Sequence, residues 1–128
     1  ALTTMLQPDL PLTVGEWEEW GNPLADPQVY AAMRAYAPYE NVRAAAYPAV
    51  LATSSLHDTR VYVTEPAKWV ARLREVVTSD PQTRPVLMRT ELSAGHGGRS
   101  GRYAAWEQIA WEWAFVLDQL SATRRVSG

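Results

Sequence analysis

Hydrophobic and polar positions alternate their period along the second half of the chain. From Tyr47 to Asp58 it reads YPAVLATSSLHD, a short, mostly apolar run bounded by Pro48 and by a polar cluster. Such a run predicts a β-strand buried on both faces. In EPAKWVARLREVV, Trp69, Val70, Leu73, Val76 and Val77 then recur at the spacing of one helix face, with Thr64 in front as the predicted cap. TSDPQTR ends that helix, and PVLMRTEL is a second run of strand length. From Tyr103 to about Ser121, Trp106, Ile109, Ala110, Trp113, Val116, Leu117 and Leu120 mark a last amphipathic helix. Trp69, Trp106 and Trp113 are expected in the core.

Strand, helix, strand, helix implies an α/β fold with parallel strands and crossover helices, because a strand, a crossover helix and a second strand in one sheet form a βαβ unit. Upstream, LPLTVGEWEEWGN predicts one or two helical turns, closed by Gly21, Asn22 and Pro23. Asp26 followed by Pro27 is a side-chain cap ahead of a residue tolerated in the first turn, so a helix is expected to about Tyr36, with Pro38 as its stop. The opening ALTTMLQPDLPLT is β-prone and lacks an initiator methionine, as expected of a segment cut from something longer. No internal repeat interrupts the chain, which reads as one continuous unit.

The chain has 128 residues, 47% of them apolar and 20% charged, which suits a globular domain with a core of its own. The absence of cysteine rules out disulfides and thiolate zinc sites, and fits a reducing compartment such as the cytoplasm. At a net charge of −2, the small groupings Arg72 with Arg74, Arg99 with Arg102, and Arg124 with Arg125 do not make a nucleic-acid footprint. No apolar run approaches the ~18 residues of a membrane span. No cofactor is expected.

The candidate chemistry follows from the strands. Parallel neighbours lie ~4.8 Å apart and end on one edge, so the loop carrying His57 and Asp58 meets the loop AGHGGRSGR carrying His96. A carboxylate bonded to one imidazole nitrogen orients the ring and leaves the other nitrogen free to take a proton from a nucleophile. The chain order, acid before histidine, agrees with a serine hydrolase of the α/β type. His57 reads as a packing neighbour, and His57, Asp58 and His96 offer too few nitrogen or sulfur ligands for a metal. No nucleophile can be named: Ser54 and Ser55 lie in the first strand, Ser93 closes the second, and Ser100 in GRSG lacks the strand-to-helix elbow.

The blocks PLTVGEWEEWGNP, YAPYENV, YPAVLATSSLHDTRV, EPAKWVARLRE and AGHGGRSGRYAAWE together resemble the carboxyl-terminal part of the catalytic domain of the prolyl oligopeptidase family of serine peptidases, most closely its oligopeptidase B branch. The resemblance runs from about Leu2 to Leu120. It implies that residues 1–128 are the C-terminal portion of a single α/β-hydrolase domain, whose nucleophilic serine, oxyanion hole and β-propeller lie in an upstream part absent here. By the same resemblance Asp58 and His96 are catalytic, Arg60 binds a substrate backbone carbonyl, and Glu16 and Glu18 select arginine or lysine in short peptide substrates, with Glu19 as a rival. Arg60 also reads as a loop cation paired with an acid such as Glu65. The other readings are a non-catalytic fragment or assembly partner, and a hydrolase of the same fold acting on esters or after proline. The expected partners are peptide substrates and the remainder of the parent enzyme. Self-association through an exposed sheet edge is also expected, since two or three parallel strands alone leave an edge unpaired.

Overall fold

The computed structural model describes residues 2–126, with side chains through residue 121; the Arg124 and Arg125 side chains lie outside the described set. The chain forms two compact units, the first ending at Arg43 and the second beginning at Ala44. Among the described residues no helix is long and apolar enough to cross a membrane.

The first unit is helical. Its elements are α1 (Leu2–Met5), α2 (Thr13–Trp20) and α3 (Pro27–Tyr36). The opening segment is a helical turn and not the β-prone run its composition suggests. The reason is tertiary: the Thr13 hydroxyl donates to the Thr4 carbonyl at 2.9 Å, and the Trp17 indole N–H donates to the Met5 carbonyl at 3.1 Å. The Met5 carbonyl, which the short helix leaves open, is thereby satisfied by α2, and the Thr4 carbonyl gains a second donor beside the Gln7 N–H. Leu2 is buried with Met33 and Ala37 of the α3 region, and Met5, Leu6, Val29 and Tyr30 pack against them. The start of α3 is as its sequence predicts, with Asp26 Oδ1 accepting the Gln28 N–H at 2.8 Å and Pro27 opening the first turn.

The second unit is the α/β part. It comprises β1 (Val50–Ser55), α4 (Thr64–Val76), β2 (Val86–Glu91) and α5 (Arg102–Val126). The two strands pair in parallel, in register from Val50 against Val86 to Ser55 against Glu91, and α4 is the crossover between them. Leu73 is 0% exposed, and with buried Val70 and Val86 it forms the core of this unit. Full burial of a leucine contributes roughly 1.5–3 kcal/mol. Arg74 Nε donates to the Val86 carbonyl at 2.8 Å, fixing the end of α4 to the start of β2. Thr64 is the first residue of α4 and not its cap: Val63 takes the N-cap position, with no side-chain capping bond.

Two expectations about burial are corrected. The first strand is not buried on both faces, since Ser55 is the only buried residue of β1; in β2 the only one is Val86. The tryptophans of α5 are not core: Trp106 and Trp113 are 54% and 60% exposed, while Trp69 on α4 is half-buried. The cause is the same in both cases. Two strands offer too little surface to cover a long amphipathic helix, and α4 covers one face of the pair only, with its buried Val70 and Leu73.

Candidate active site

Because Ser55 and Glu91 are register partners, both strands release their loops at one edge. Backbone bonds then join those loops: the Leu56 N–H donates to the Glu91 carbonyl at 2.8 Å, and the His57 N–H to the Ala94 carbonyl at 3.3 Å. His57 thus acts through its backbone, as a stitch between loops, and its side chain is exposed.

Asp58 follows at once. Its Oδ1 accepts the amide N–H groups of Arg60 at 2.8 Å and Val61 at 2.9 Å, a turn closed by the side chain. Its Oδ2 lies 2.9 Å from His96 Nδ1. The Asp58 side chain is 10% exposed and that of His96 48%, so the acid is enclosed while the ring reaches solvent. Burial pushes the Asp58 carboxyl up, but the Val61 amide, the His96 ring and the Arg60 amide together outweigh it and hold the group below its ordinary value of 3.8. Asp58 is therefore ionised at neutral pH and only accepts hydrogen bonds, so the shared proton sits on His96 Nδ1. In the neutral imidazole this leaves the Nε2 lone pair free, able to accept a proton.

The loop around His96 is a tight glycine turn. The Gly98 N–H donates to the Gly95 carbonyl at 3.0 Å, and Gly98 has φ +72°, a left-handed conformation that glycine adopts without a Cβ clash. A cavity of about 400 Å³ lies beside this turn, with Asp58, His96, Ser55, Arg89, Glu91 and Glu107 among its lining. The alternation of β-strand side chains explains the shared face of Ser55 and of Arg89 and Glu91, given the register.

The other predicted residues fall in different places. Arg60 is exposed in the loop after β1; Glu65 pairs with Lys68 at 3.1 Å, and among the described residues the Arg60 guanidinium has no ion pair. Glu16 and Glu18 lie on α2 in the first unit. Glu16 is half-buried and accepts the Trp20 indole N–H at 2.9 Å, whereas Glu18 and Glu19 are exposed. No hydroxyl among the described residues bonds to His96. Ser54 Oγ is 3.1 Å from Thr90 Oγ1, and the Ser93 hydroxyl donates to Glu91 at 2.6 Å. Sequence reasoning passed over Glu91, although an acid closing a strand two residues before a serine is a recognisable turn signal.

A family model described as the prolyl oligopeptidase family matches residues 1–123. The chain is 45% identical over 124 residues to a protein of Pseudoxanthomonas mexicana named dipeptidyl aminopeptidase BI, covering 97% of this chain and 17% of that protein. It is also 45% identical over 119 residues to Protease 2 of Moraxella lacunata, covering 93% of this chain and 17% of the relative. Among solved structures, oligopeptidase B from Leishmania major superposes with a TM-score of 0.86 at 42% identity, over 95% of this chain and 16% of the larger one. Oligopeptidase B from Trypanosoma brucei, with covalently bound antipain, gives 0.86 at 44% identity over 94% and 16%. The chain thus spans about a sixth of the length of these relatives, and its parallel pair with crossover helix is a segment of their α/β fold. On sequence and on backbone alike, it belongs to the prolyl oligopeptidase family.

Proposed function

We propose that residues 1–128 are the C-terminal portion of a single α/β-hydrolase domain in a serine endopeptidase that cuts short peptides after arginine or lysine. One observation carries the reading: the 2.9 Å bond between Asp58 Oδ2 and His96 Nδ1, in a chain of this family. His96 Nε2 takes the proton of a serine supplied by the upstream part as the serine oxygen attacks the peptide carbonyl carbon. It then returns that proton to the leaving amine as the carbon–nitrogen bond breaks. Asp58 stays ionised throughout and stabilises the imidazolium that forms in between.

Arg60 is assigned to a substrate backbone carbonyl, which its exposed guanidinium, without an ion pair among the described residues, supports. Glu16 and Glu18 are assigned to the arginine or lysine side chain, where carboxylates form charge-assisted bonds. On the regular helix α2 these two positions point about 200° apart. Their joint use is therefore open to test by separate charge reversals, Glu16→Lys and Glu18→Lys, each read as the ratio of arginyl to neutral substrate turnover.

The deciding experiment uses the full-length parent enzyme on an arginyl amide substrate. His96→Ala is expected to lower kcat by roughly 10⁴- to 10⁶-fold; near-normal turnover rejects the assignment. A second reading is favoured by the name of one relative, a dipeptidyl aminopeptidase as similar to this chain as Protease 2 is. Under it the same pair releases dipeptides from a free N-terminus. Mass analysis of products from a peptide with an internal arginine separates the two: a cut after that arginine supports the endopeptidase, and stepwise dipeptides support the other.

A further inference from the structure

Glu91, the last residue of β2, contacts both ends of the loop that carries His96. Its Oε1 accepts the Ser93 amide N–H at 2.9 Å and the Ser93 hydroxyl at 2.6 Å. Its Oε2 lies 3.8 Å from Arg99 Nε, and the Arg99 guanidinium lies 3.8 Å from Glu107 on α5. His96 stands midway between Ser93 and Arg99 in the chain. The Glu91 carbonyl, meanwhile, accepts the Leu56 N–H at 2.8 Å, two residues before Asp58. One residue therefore touches the entry and the exit of the histidine loop, and the start of the aspartate loop as well.

The loop depends on such a tie. Gly95, Gly97, Gly98 and Gly101 leave its backbone with more freedom to lose on ordering than other residues would. His96 is half exposed, so packing does not position its ring. Within the loop the backbone supplies the bond from Gly98 to Gly95, and the strand edge adds the long one from His57 to Ala94. Asp58 is anchored independently, by Arg60 and Val61. The ring meets Asp58 only where the loop holds it.

We infer that Glu91 is a positioning residue, which closes the His96 loop through Ser93 and Arg99 and so keeps the imidazole against Asp58. The Ser93 hydroxyl and amide, ahead of the Arg99 charge, hold the Glu91 carboxyl below its ordinary range, so it is an ionised acceptor at neutral pH. The two 3.8 Å contacts of Arg99 are weak individually, being half in solvent. The Ser93 side of the bracket is accordingly the stronger one.

This inference rests on the peptidase reading for its kinetic consequence, and the test keeps the two apart. In the full-length enzyme, Glu91→Ala is expected to lower kcat about 10- to 100-fold with KM within about threefold, as a misplaced catalytic group does. Glu91→Gln keeps an oxygen that accepts from Ser93 and is expected to restore most of the loss. Hydrogen exchange over residues 94–98 is expected to quicken in Glu91→Ala while α4 keeps its protection. Wild-type kcat with unchanged exchange overturns the inference, as does Glu91→Gln being as impaired as Glu91→Ala, or a change confined to KM. Should Glu91→Ala fail to fold, Ser93→Ala decides on the same exchange measurement: faster exchange over 94–98 supports the bracket, and unchanged exchange rejects it. A His96→Ala control with near-normal turnover defeats the peptidase reading alone, because the exchange result still judges Glu91.

Discussion

Asp58 divides its carboxylate between two tasks: Oδ1 holds the amides of Arg60 and Val61, and Oδ2 holds His96 Nδ1 at 2.9 Å. The division matters because a carboxylate bound only to an imidazole is free to rotate, whereas one already fixed by two amides presents its second oxygen in a set direction. The aspartate is thus anchored by two bonds that do not involve the histidine. The histidine loop, with Gly95, Gly97 and Gly98, has more backbone freedom to lose on ordering.

Replacing Asp58 by asparagine separates geometry from charge. In Asp58→Asn the amide oxygen still accepts from Arg60 and Val61, but the NH2 group then faces Nδ1. His96 responds by presenting its Nδ1 lone pair, which puts the ring proton on Nε2, where a base needs none. In the full-length enzyme kcat is expected to fall by roughly 10⁴-fold with KM little changed. Steady-state kinetics on an arginyl amide check it, and a loss smaller than tenfold counts against Asp58 as the orienting acid.

The lowered carboxyl of Asp58 makes the order of its loop depend on pH, in a direction that can be worked out. Between the folded value and the ordinary value of 3.8, the opened loop binds more protons than the closed one, so stability of the closed loop rises with pH. Protection of the Arg60 and Val61 amides is expected to be constant above about pH 5. It should decline through 3.8 and be lost as pH falls through the lower folded value. Hydrogen exchange of this segment, corrected for intrinsic rates and compared with Asp58→Asn, measures it. Protection that is as pH-independent as in the asparagine variant would show that the charge on Asp58 does not support the loop.

Much of this site was legible because the relevant signals are local or topological. Asp26 with Pro27 announces α3, and two apolar runs around an amphipathic helix imply a parallel pair, from which the meeting of Asp58 and His96 follows. What was not legible depends on partners distant in the chain. The helical form of Leu2–Met5 is set by Thr13 and Trp17 taking its carbonyls, which overrides the local preference. Trp106 and Trp113 have the spacing of a buried face, yet periodicity reports a face's character and not whether this chain contains its cover. Glu91 was missed because its importance lies in joining Ser93 to Arg99, a relation visible only once the loop is closed.

The glycines of the histidine loop are not equivalent, and substitution tells them apart. At Gly98, φ is +72° and an added Cβ would stand 3.2 Å from the Gln108 side-chain oxygen, whereas at Gly97 a Cβ meets open space and φ is not positive. Gly98→Ala is expected to cost about 1–2 kcal/mol of local stability through the left-handed backbone. It should lower kcat of the full-length enzyme more than tenfold, with Gly97→Ala staying within about threefold. Kinetics and thermal denaturation of the two variants side by side provide the check, and equal effects would mean that backbone conformation at Gly98 does not set the ring.

The isolated 128-residue chain supplies the last expectation, because it exposes what a larger α/β domain normally covers. Among the described residues its sheet has two strands, each with a free edge, and α5 presents Trp106, Ile109, Trp113, Leu117 and Leu120 to solvent. Burying such side chains gains roughly 25 cal/mol per Å² of apolar surface, and unpaired strand edges add hydrogen-bonding groups that seek partners. Association of the isolated chain is therefore expected. Sedimentation velocity is expected to show species larger than the 14.3 kDa monomer, and the chain should bind an apolar dye. It should also show no turnover of an arginyl amide, because the described hydroxyls that form bonds take partners other than His96. A dye-silent monomer would mean that α5 and the sheet edges find cover within the chain itself, and the apolar face of α5 would then need a different explanation.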